Sequence, residues 1–151
     1  MQKRFTYMLI VVLSLSISMC SAAKSFNAEQ AAIGGIAAGS GADYIRSIYG
    51  EPNKIRTRED HAETWYYGDT FQIDFVNGKV SSVVSSGNNG LATPAGITVG
   101  MKKSKMTSNY GNPQITDKYG KRAMYTYQAD NGAKMIFIIR GGIISEIRMV
   151  K

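Results

Sequence analysis

GIAAG at residues 35–39 returns further along the chain as GITVG at residues 96–100, and the two stretches mark the beginnings of two similar units. YGEP at residues 49–52 returns in the same way as YGNP at residues 110–113. Both pairs are 61 residues apart, and six identities fall within a window of eighteen residues. Because a repeat at a fixed spacing is typical of a duplicated structural unit, the sequence predicts two diverged copies of one small unit.

Each copy is predicted to begin with a short helix. In the first copy, Ser40 opens a stretch with capping-box character, and apolar residues follow at helical spacing until Gly50 and Pro52 stop the helix. The second copy shows the same signals from about Lys102 to Tyr110. A further short helix is predicted from Asn27 to about Ile33, before a pair of glycines.

Three strand-like runs follow the helix in each copy, separated by turns that contain glycine. They span residues 63–67, 71–76 and 80–85 in the first copy and residues 124–129, 134–139 and 143–150 in the second. The run at 135–139 is apolar on both sides and is expected at the centre of the sheet. The predicted fold is therefore α+β: two tandem helix-plus-three-strand units, at 24–90 and 91–151, that form an antiparallel sheet with the helices packed on one face.

The N-terminus has the features of a secretory signal. Two basic residues precede an uncharged apolar run from Met8 to Met19, which is shorter than the roughly 20 residues that a membrane-spanning helix needs. Cleavage before Lys24 would remove residues 1–23 as a signal peptide and leave a periplasmic or secreted protein. Lipid attachment at Cys20 is the alternative, because ISMC at residues 17–20 resembles a bacterial lipobox apart from its third residue. It would anchor the protein to the outer membrane, and in both cases the mature fold has no disulfide and no membrane span.

Charge is distributed unevenly between the copies. Residues 24–92 hold six Lys and Arg against eight Asp and Glu, net −2, whereas residues 93–151 hold ten against three, net +7. The basic half is suited to an acidic protein, an anionic lipid surface or a cell-wall polymer. Solubility and attraction between the halves are the alternative explanation.

The order of these motifs resembles that of the SmpA/OmlA (BamE) family of outer-membrane assembly lipoproteins. It is also similar to the related fold of the β-lactamase inhibitory protein, in which two such units are joined in tandem. Gly39 and Gly100 match the glycine before the family's helix, the Gly-x-Pro after each helix matches its end, and Trp65 and Tyr125 match the aromatic residue of its first strand. The resemblance covers nearly the whole mature chain and implies an exported, non-enzymatic protein whose sheet face or loops bind another protein. The chain departs from the family in its imperfect lipobox and in having two units.

The sequence offers few residues for catalysis. The single histidine, His61, lies in a polar stretch that is predicted to be a solvated loop, and scattered carboxylates around one histidine are far from a metal site. The serines lack a base partner in sequence, and the glycines are not followed by the Gly-Lys-Ser/Thr of a phosphate loop. We therefore expect no enzymatic activity, no metal and no cofactor. A nucleic-acid partner is not expected either, because the chain has no recognition motif.

Aromatic residues on the first strand of each copy are the candidate partner-binding residues. Side chains alternate along a strand, so Trp65 and Tyr67 share one face and are expected in the core, whereas Tyr66 faces outward. The alternative is that most of these rings complete the core. The full candidate set adds the tyrosines and a lysine cluster of the second copy: Tyr66, Trp65, Tyr125, Tyr127, Lys102, Lys103 and Lys105.

Two functions fit this set of residues. The first is a module of the bacterial cell envelope, either an inhibitor or an assembly factor, that binds another envelope or extracellular protein. The second is a structural envelope protein whose basic second copy associates with anionic lipid or cell-wall polymer.

Overall fold

The computed structural model describes residues 26–58 and 62–151. It contains two α-helices, α1 (Ala42–Tyr49) and α2 (Lys103–Tyr110), and a three-residue 3₁₀ helix at Ala28–Gln30. The strands are β1 (Ala32–Ile33), β2 (Ile36–Ala37), β3 (Lys54–Thr57), β4 (Glu63–Tyr67), β5 (Phe71–Val76), β6 (Lys79–Ser85), β7 (Ile115–Tyr119), β8 (Arg122–Gln128), β9 (Lys134–Arg140) and β10 (Ile143–Val150). The α+β class predicted from the sequence is confirmed.

Both helices end at a glycine in the left-handed region. Gly50 (φ 73°) and Gly111 (φ 77°) take this conformation, and their N–H groups donate to carbonyls of the last helical turn. The proline two residues beyond each glycine then prevents the helix from continuing. The capping box predicted at Ser40 is wrong, because α1 begins after Gly41 with no side-chain cap.

The predicted N-terminal helix from Asn27 to Ile33 is shorter in the structure. Asn27 does cap it, since its side chain accepts from the backbone N–H of Gln30 and the Gln30 side chain accepts in return. The chain then turns at two glycines with positive φ and pairs β1 with β2. Burial of Ile33 and Ile36 in the core favours this small hairpin over a longer helix.

Eight strands form one antiparallel sheet in the order β3-β4-β5-β6-β10-β9-β8-β7. Each unit therefore contributes four strands, and the prediction of three per unit missed β3 and β7. These two strands lie at the edges of the sheet, and eight of their nine residues, all except Asp117, are exposed. Without a buried face there is no alternation in the sequence to detect.

An approximate two-fold relation links the units through β6 and β10. Val83 pairs with Met149 and Ser85 pairs with Ile147, with Val84 opposite Arg148 between them. In the repeat, Val83 corresponds to Ile147 and Ser85 corresponds to Met149. A two-fold rotation that superposes one unit on the other therefore converts the first pair into the second. The units also share one hydrophobic core. The domain boundary near residue 90 stays a prediction.

One face of the sheet carries the hydrophobic core, and we call it the inner face and the opposite one the outer face. Ile45 of α1 and Met106 of α2 belong to the same core as Trp65, Ile73 and Phe137. Trp65 on β4 is paired with Ile73 on β5, and Phe137 on β9 is paired with Tyr125 on β8. Residues at the alternate strand positions, among them Tyr66, lie on the outer face.

Candidate functional site

Three of the four candidate aromatic residues belong to the core. Trp65, Tyr125 and Tyr127 are 1%, 8% and 1% exposed. The indole N–H of Trp65 donates to Glu63 at 2.8 Å, and the hydroxyl of Tyr127 donates to the Gly111 carbonyl at 2.8 Å. Burial, with smaller contributions from neighbouring tyrosines, raises the pKa of Tyr127 to about 12. These rings hold the fold together and offer little surface to a partner.

Tyr66 is the remaining aromatic candidate, and it lies in a groove on the outer face of the first unit. Its cross-strand neighbours are Lys54 on β3 and Gln72 on β5, and Val84 on β6 follows in the same row. Together with Arg56, these residues line a cavity of about 440 Å³, which we call the outer groove. The Lys54 ammonium lies 6.0 Å from the centroid of the Tyr66 ring.

The two cations of the outer groove form no ion pair with a described residue, although Asp69 also lines the groove. Lys54 and Arg56 are exposed, and neither forms an ion pair within the part of the chain that the structure describes. The nearby carboxylate of Asp74 already accepts from the Thr64 hydroxyl at 2.8 Å and from the Gln72 amide at 3.1 Å. The groove therefore combines one aromatic ring with two available positive charges.

Basic residues of the second unit gather at one end of the sheet. They come from α2, from β7 and β8 with the turn between them, and from β9: Lys103, Lys118, Lys121, Arg122 and Arg140. We call this cluster the basic end. It lines two clefts of about 350 and 510 Å³ on either side of the β7–β8 turn, and no described residue that lines them is acidic.

Like charges face each other directly within the basic end. Arg122 and Arg140 are cross-strand partners on β8 and β9. Such a pair weakens strand pairing, because the two positive charges repel at close range. Tyr119, 67% exposed, is the next residue along the same row. An anionic group bound in the adjoining cleft would relieve this repulsion.

The three candidate lysines do not form one site. Lys103 joins the basic end, where its ammonium lies 3.4 Å from the Tyr125 hydroxyl and 5.3 Å from the centroid of that ring. Lys102 and Lys105 instead line a separate open cleft along α2. The first turn of α2 has no acidic residue, whereas that of α1 contains Asp43.

Sequence reasoning missed four residues of the basic end: Lys118, Lys121, Arg122 and Arg140. The available signal was the net charge of residues 93–151, which is +7 but is spread over the whole segment. Only the pairing of β7, β8 and β9 brings these four side chains together.

Several predictions concern residues outside the described ranges. The signal peptide, its cleavage site, the candidate lipidation site Cys20 and the single histidine His61 all lie there. Within residues 26–58 and 62–151, no helix is long and apolar enough to span a membrane. The same ranges contain no group of three or more His, Cys, Asp or Glu that could hold a metal ion.

Comparisons with known proteins concern the fold. Neither a protein-family model nor a curated protein matches the sequence. An extracellular protein containing an SCP domain from Bacillus anthracis is similar in structure, with a TM-score of 0.50 and 17% identity over 75% of this chain and 43% of its own. A cysteine-rich secretory protein from Staphylococcus aureus is also similar, with a TM-score of 0.50 and 11% identity over 75% of this chain and 44% of its own. The chain thus spans less than half the length of either protein.

The resemblance to the SmpA/OmlA (BamE) family and to the β-lactamase inhibitory protein is wrong. Solved structures that are similar to this chain include the SCP-domain and cysteine-rich secretory proteins. The motifs that carried the resemblance have a local cause, since Gly50 and Gly111 end their helices with positive φ whatever the family. At these identities the two proteins show the fold alone. Both are described as extracellular or secretory, and the export signal of this chain stays a prediction from its sequence.

Proposed function

We propose that this protein is an exported, non-enzymatic binding module of the bacterial cell envelope that holds an anionic polymer at its basic end. The observation that carries the proposal is the convergence of five cationic side chains, from α2, three strands and the β7–β8 turn, on two clefts that no acidic residue of the described chain lines. Cations arranged in this way concentrate polyanions, since each contact releases a counterion from the polymer.

Shape favours a polymer over a flat lipid surface. The clefts lie on both sides of the β7–β8 turn, so a chain passing over the turn contacts Lys118 and Lys103 on one side and Arg140 on the other. A planar surface would reach only the tip of the turn. The role outside the cytoplasm is supported by the predicted signal at residues 1–23, and the non-enzymatic role by the lack of a catalytic set in the sequence.

A polymer-binding measurement with matched charge variants tests the proposal. The probes are polyphosphate, poly-glutamate of equal length and vesicles rich in phosphatidylglycerol, with residues 24–151 as the protein. The test variant is Lys121→Gln/Arg122→Gln/Arg140→Gln. The control, Lys79→Gln/Lys134→Gln/Lys151→Gln, removes the same charge at the opposite ends of the strands.

We expect the test variant to lose roughly tenfold or more in affinity for at least one polymer, and the control to lose much less. The slope of log affinity against log salt concentration should decrease in magnitude by about two for the test variant. Each of the three lost contacts would otherwise release about 0.7 of a counterion. Equal losses in the two variants, or binding to vesicles alone, would contradict a polymer site at the basic end.

A further inference from the structure

We propose that the outer groove of the first unit, with the free edge of β3, binds an extended acidic segment of another protein. The segment would add to the sheet as a strand beside β3. This site is independent of the basic end, because it uses the opposite edge of the sheet and the half of the chain whose net charge is −2.

The edge of β3 is open for pairing. Among the residues that the structure describes, β3 is the first strand of the sheet and pairs with β4 alone, and all four of its residues are exposed. The N–H of Arg58 donates to the Ala62 carbonyl, and pairing of antiparallel strands alternates from residue to residue. The N–H and C=O groups of Ile55 and Thr57 therefore face away from β4, where an added strand can bind them.

Charge indicates the chemistry of that strand. Lys54 and Arg56 are two residues apart on β3, so both side chains point to the outer face. Neither has an ion-pair partner among the described residues. Because side chains of an added strand also alternate, acidic residues at every second position would meet both cations.

Tyr66 supplies an anchor beside these charges. Its ring is half-buried and lies directly across from Lys54 in the outer groove. Tyrosine is favoured at protein interfaces because it presents a large rigid area with a polar tip. The cavity of about 440 Å³ has room for a side chain that reaches across β3 to this ring.

The second unit lacks this combination and serves as an internal comparison. The pair Lys54 and Tyr66 corresponds to Ile115 and Thr126, which are paired in the same register on β7 and β8. Thr126 is 5% exposed, and Asp117 takes the place of Arg56. The aromatic ring and both cations are therefore particular to the first unit.

Alternating peptides test the proposal directly. The probes are an eight-residue Val-Glu repeat, the matching Val-Lys repeat, and two Val-Glu peptides N-methylated at one or the other set of alternate residues. Binding to residues 24–151 is measured by NMR titration. We expect the Val-Glu peptide to shift the amides of Ile55, Thr57 and Tyr66, and the Val-Lys peptide to bind roughly tenfold more weakly.

Charge reversal distinguishes this site from general attraction. Lys54→Glu/Arg56→Glu should prefer the Val-Lys peptide, whereas the control Lys134→Glu/Lys151→Glu should keep the wild-type preference. N-methylation should abolish binding in one peptide and spare the other, because only one set of N–H groups faces β3. Tyr66→Ala should weaken binding severalfold, with melting temperatures confirming that each variant folds.

Three results would overturn the proposal. They are an unchanged peptide preference in the reversal variant, equal tolerance of both N-methylation patterns, and shifts confined to the basic end. Loss of polymer binding at the basic end would leave these results unaffected, since the two sites share no residue.

Discussion

Gly34 occupies a position where a side chain would displace a hydrogen bond. The Tyr49 hydroxyl donates to the Gly34 carbonyl at 2.5 Å, and a β-carbon at Gly34 would lie 2.3 Å from that hydroxyl oxygen. Gly35 has a similar positive φ, 79° against 58°, but a β-carbon there would have nothing within 4 Å. Alanine variants at Gly34 and Gly35 therefore separate the energetic cost of the backbone conformation from the cost of the contact with Tyr49.

We expect Gly34→Ala to lower the free energy of unfolding by about 2–4 kcal/mol, because it combines a strained φ with loss of the Tyr49 contact. Gly35→Ala should cost only about 1–2 kcal/mol, the penalty of the left-handed conformation. Urea denaturation of the two variants measures the difference. Equal losses would show that Tyr49 moves aside without cost.

Residue orientation was the most predictable property of this chain. Strand alternation correctly placed Trp65 in the core and Tyr66 on the outer face. It left Tyr125 and Tyr127 open, although both are buried. The sequence does not show which face of this strand is covered. Met124 and Thr126, on the face opposite the two tyrosines, are also compatible with burial.

At the scale of the element, α2 has an unfavourable arrangement of charge. Lys103 and Lys105 lie in its first turn, where the helix dipole is positive and acidic residues are favoured. α1 shows the usual arrangement with Asp43. Basic residues at this end therefore weaken the helix.

We expect Lys105→Glu to raise the free energy of unfolding by about 0.3–1 kcal/mol, because it replaces repulsion by attraction at the helix N-terminus. Lys105→Gln should give a smaller gain in the same direction. Thermal melting at low ionic strength provides the measurement. A gain that persists undiminished in high salt would argue against an electrostatic origin.

Elements with a buried face could be predicted, and elements without one could not. Phe71, Ile73 and Phe75 alternate with polar residues, and β5 was found with its correct bounds. No residue of β3 or β7 is buried. Both candidate surfaces depend on these edge strands, so neither could be assembled from sequence alone.

At the scale of the molecule, the two units depend on each other. Phe26, at the beginning of the first unit, packs against Tyr110 and Tyr127 of the second, with ring centroids 5.6 and 5.8 Å apart. The Gly34 N–H donates to the Ala92 carbonyl at 2.8 Å, and β6 pairs with β10. Separating the units exposes both sides of this shared core.

We therefore expect residues 24–90 and 91–151, expressed separately, to lack a cooperative thermal transition. Mixing the two fragments should restore it, because β6 and β10 recover their partners. Circular dichroism of each fragment and of the mixture provides the test. A cooperative transition in either fragment alone, near the temperature of the intact protein, would show that the units fold independently.

Strand order also fixes a length. β3 and β8 are separated by six hydrogen-bonded steps with no loop in the path, and steps of about 4.8 Å give roughly 29 Å. A peptide captured at one edge and a polymer captured near the other would be held at this offset without a flexible tether. The continuous sheet would thus fix the distance between a protein bound at one edge and a polymer bound near the other.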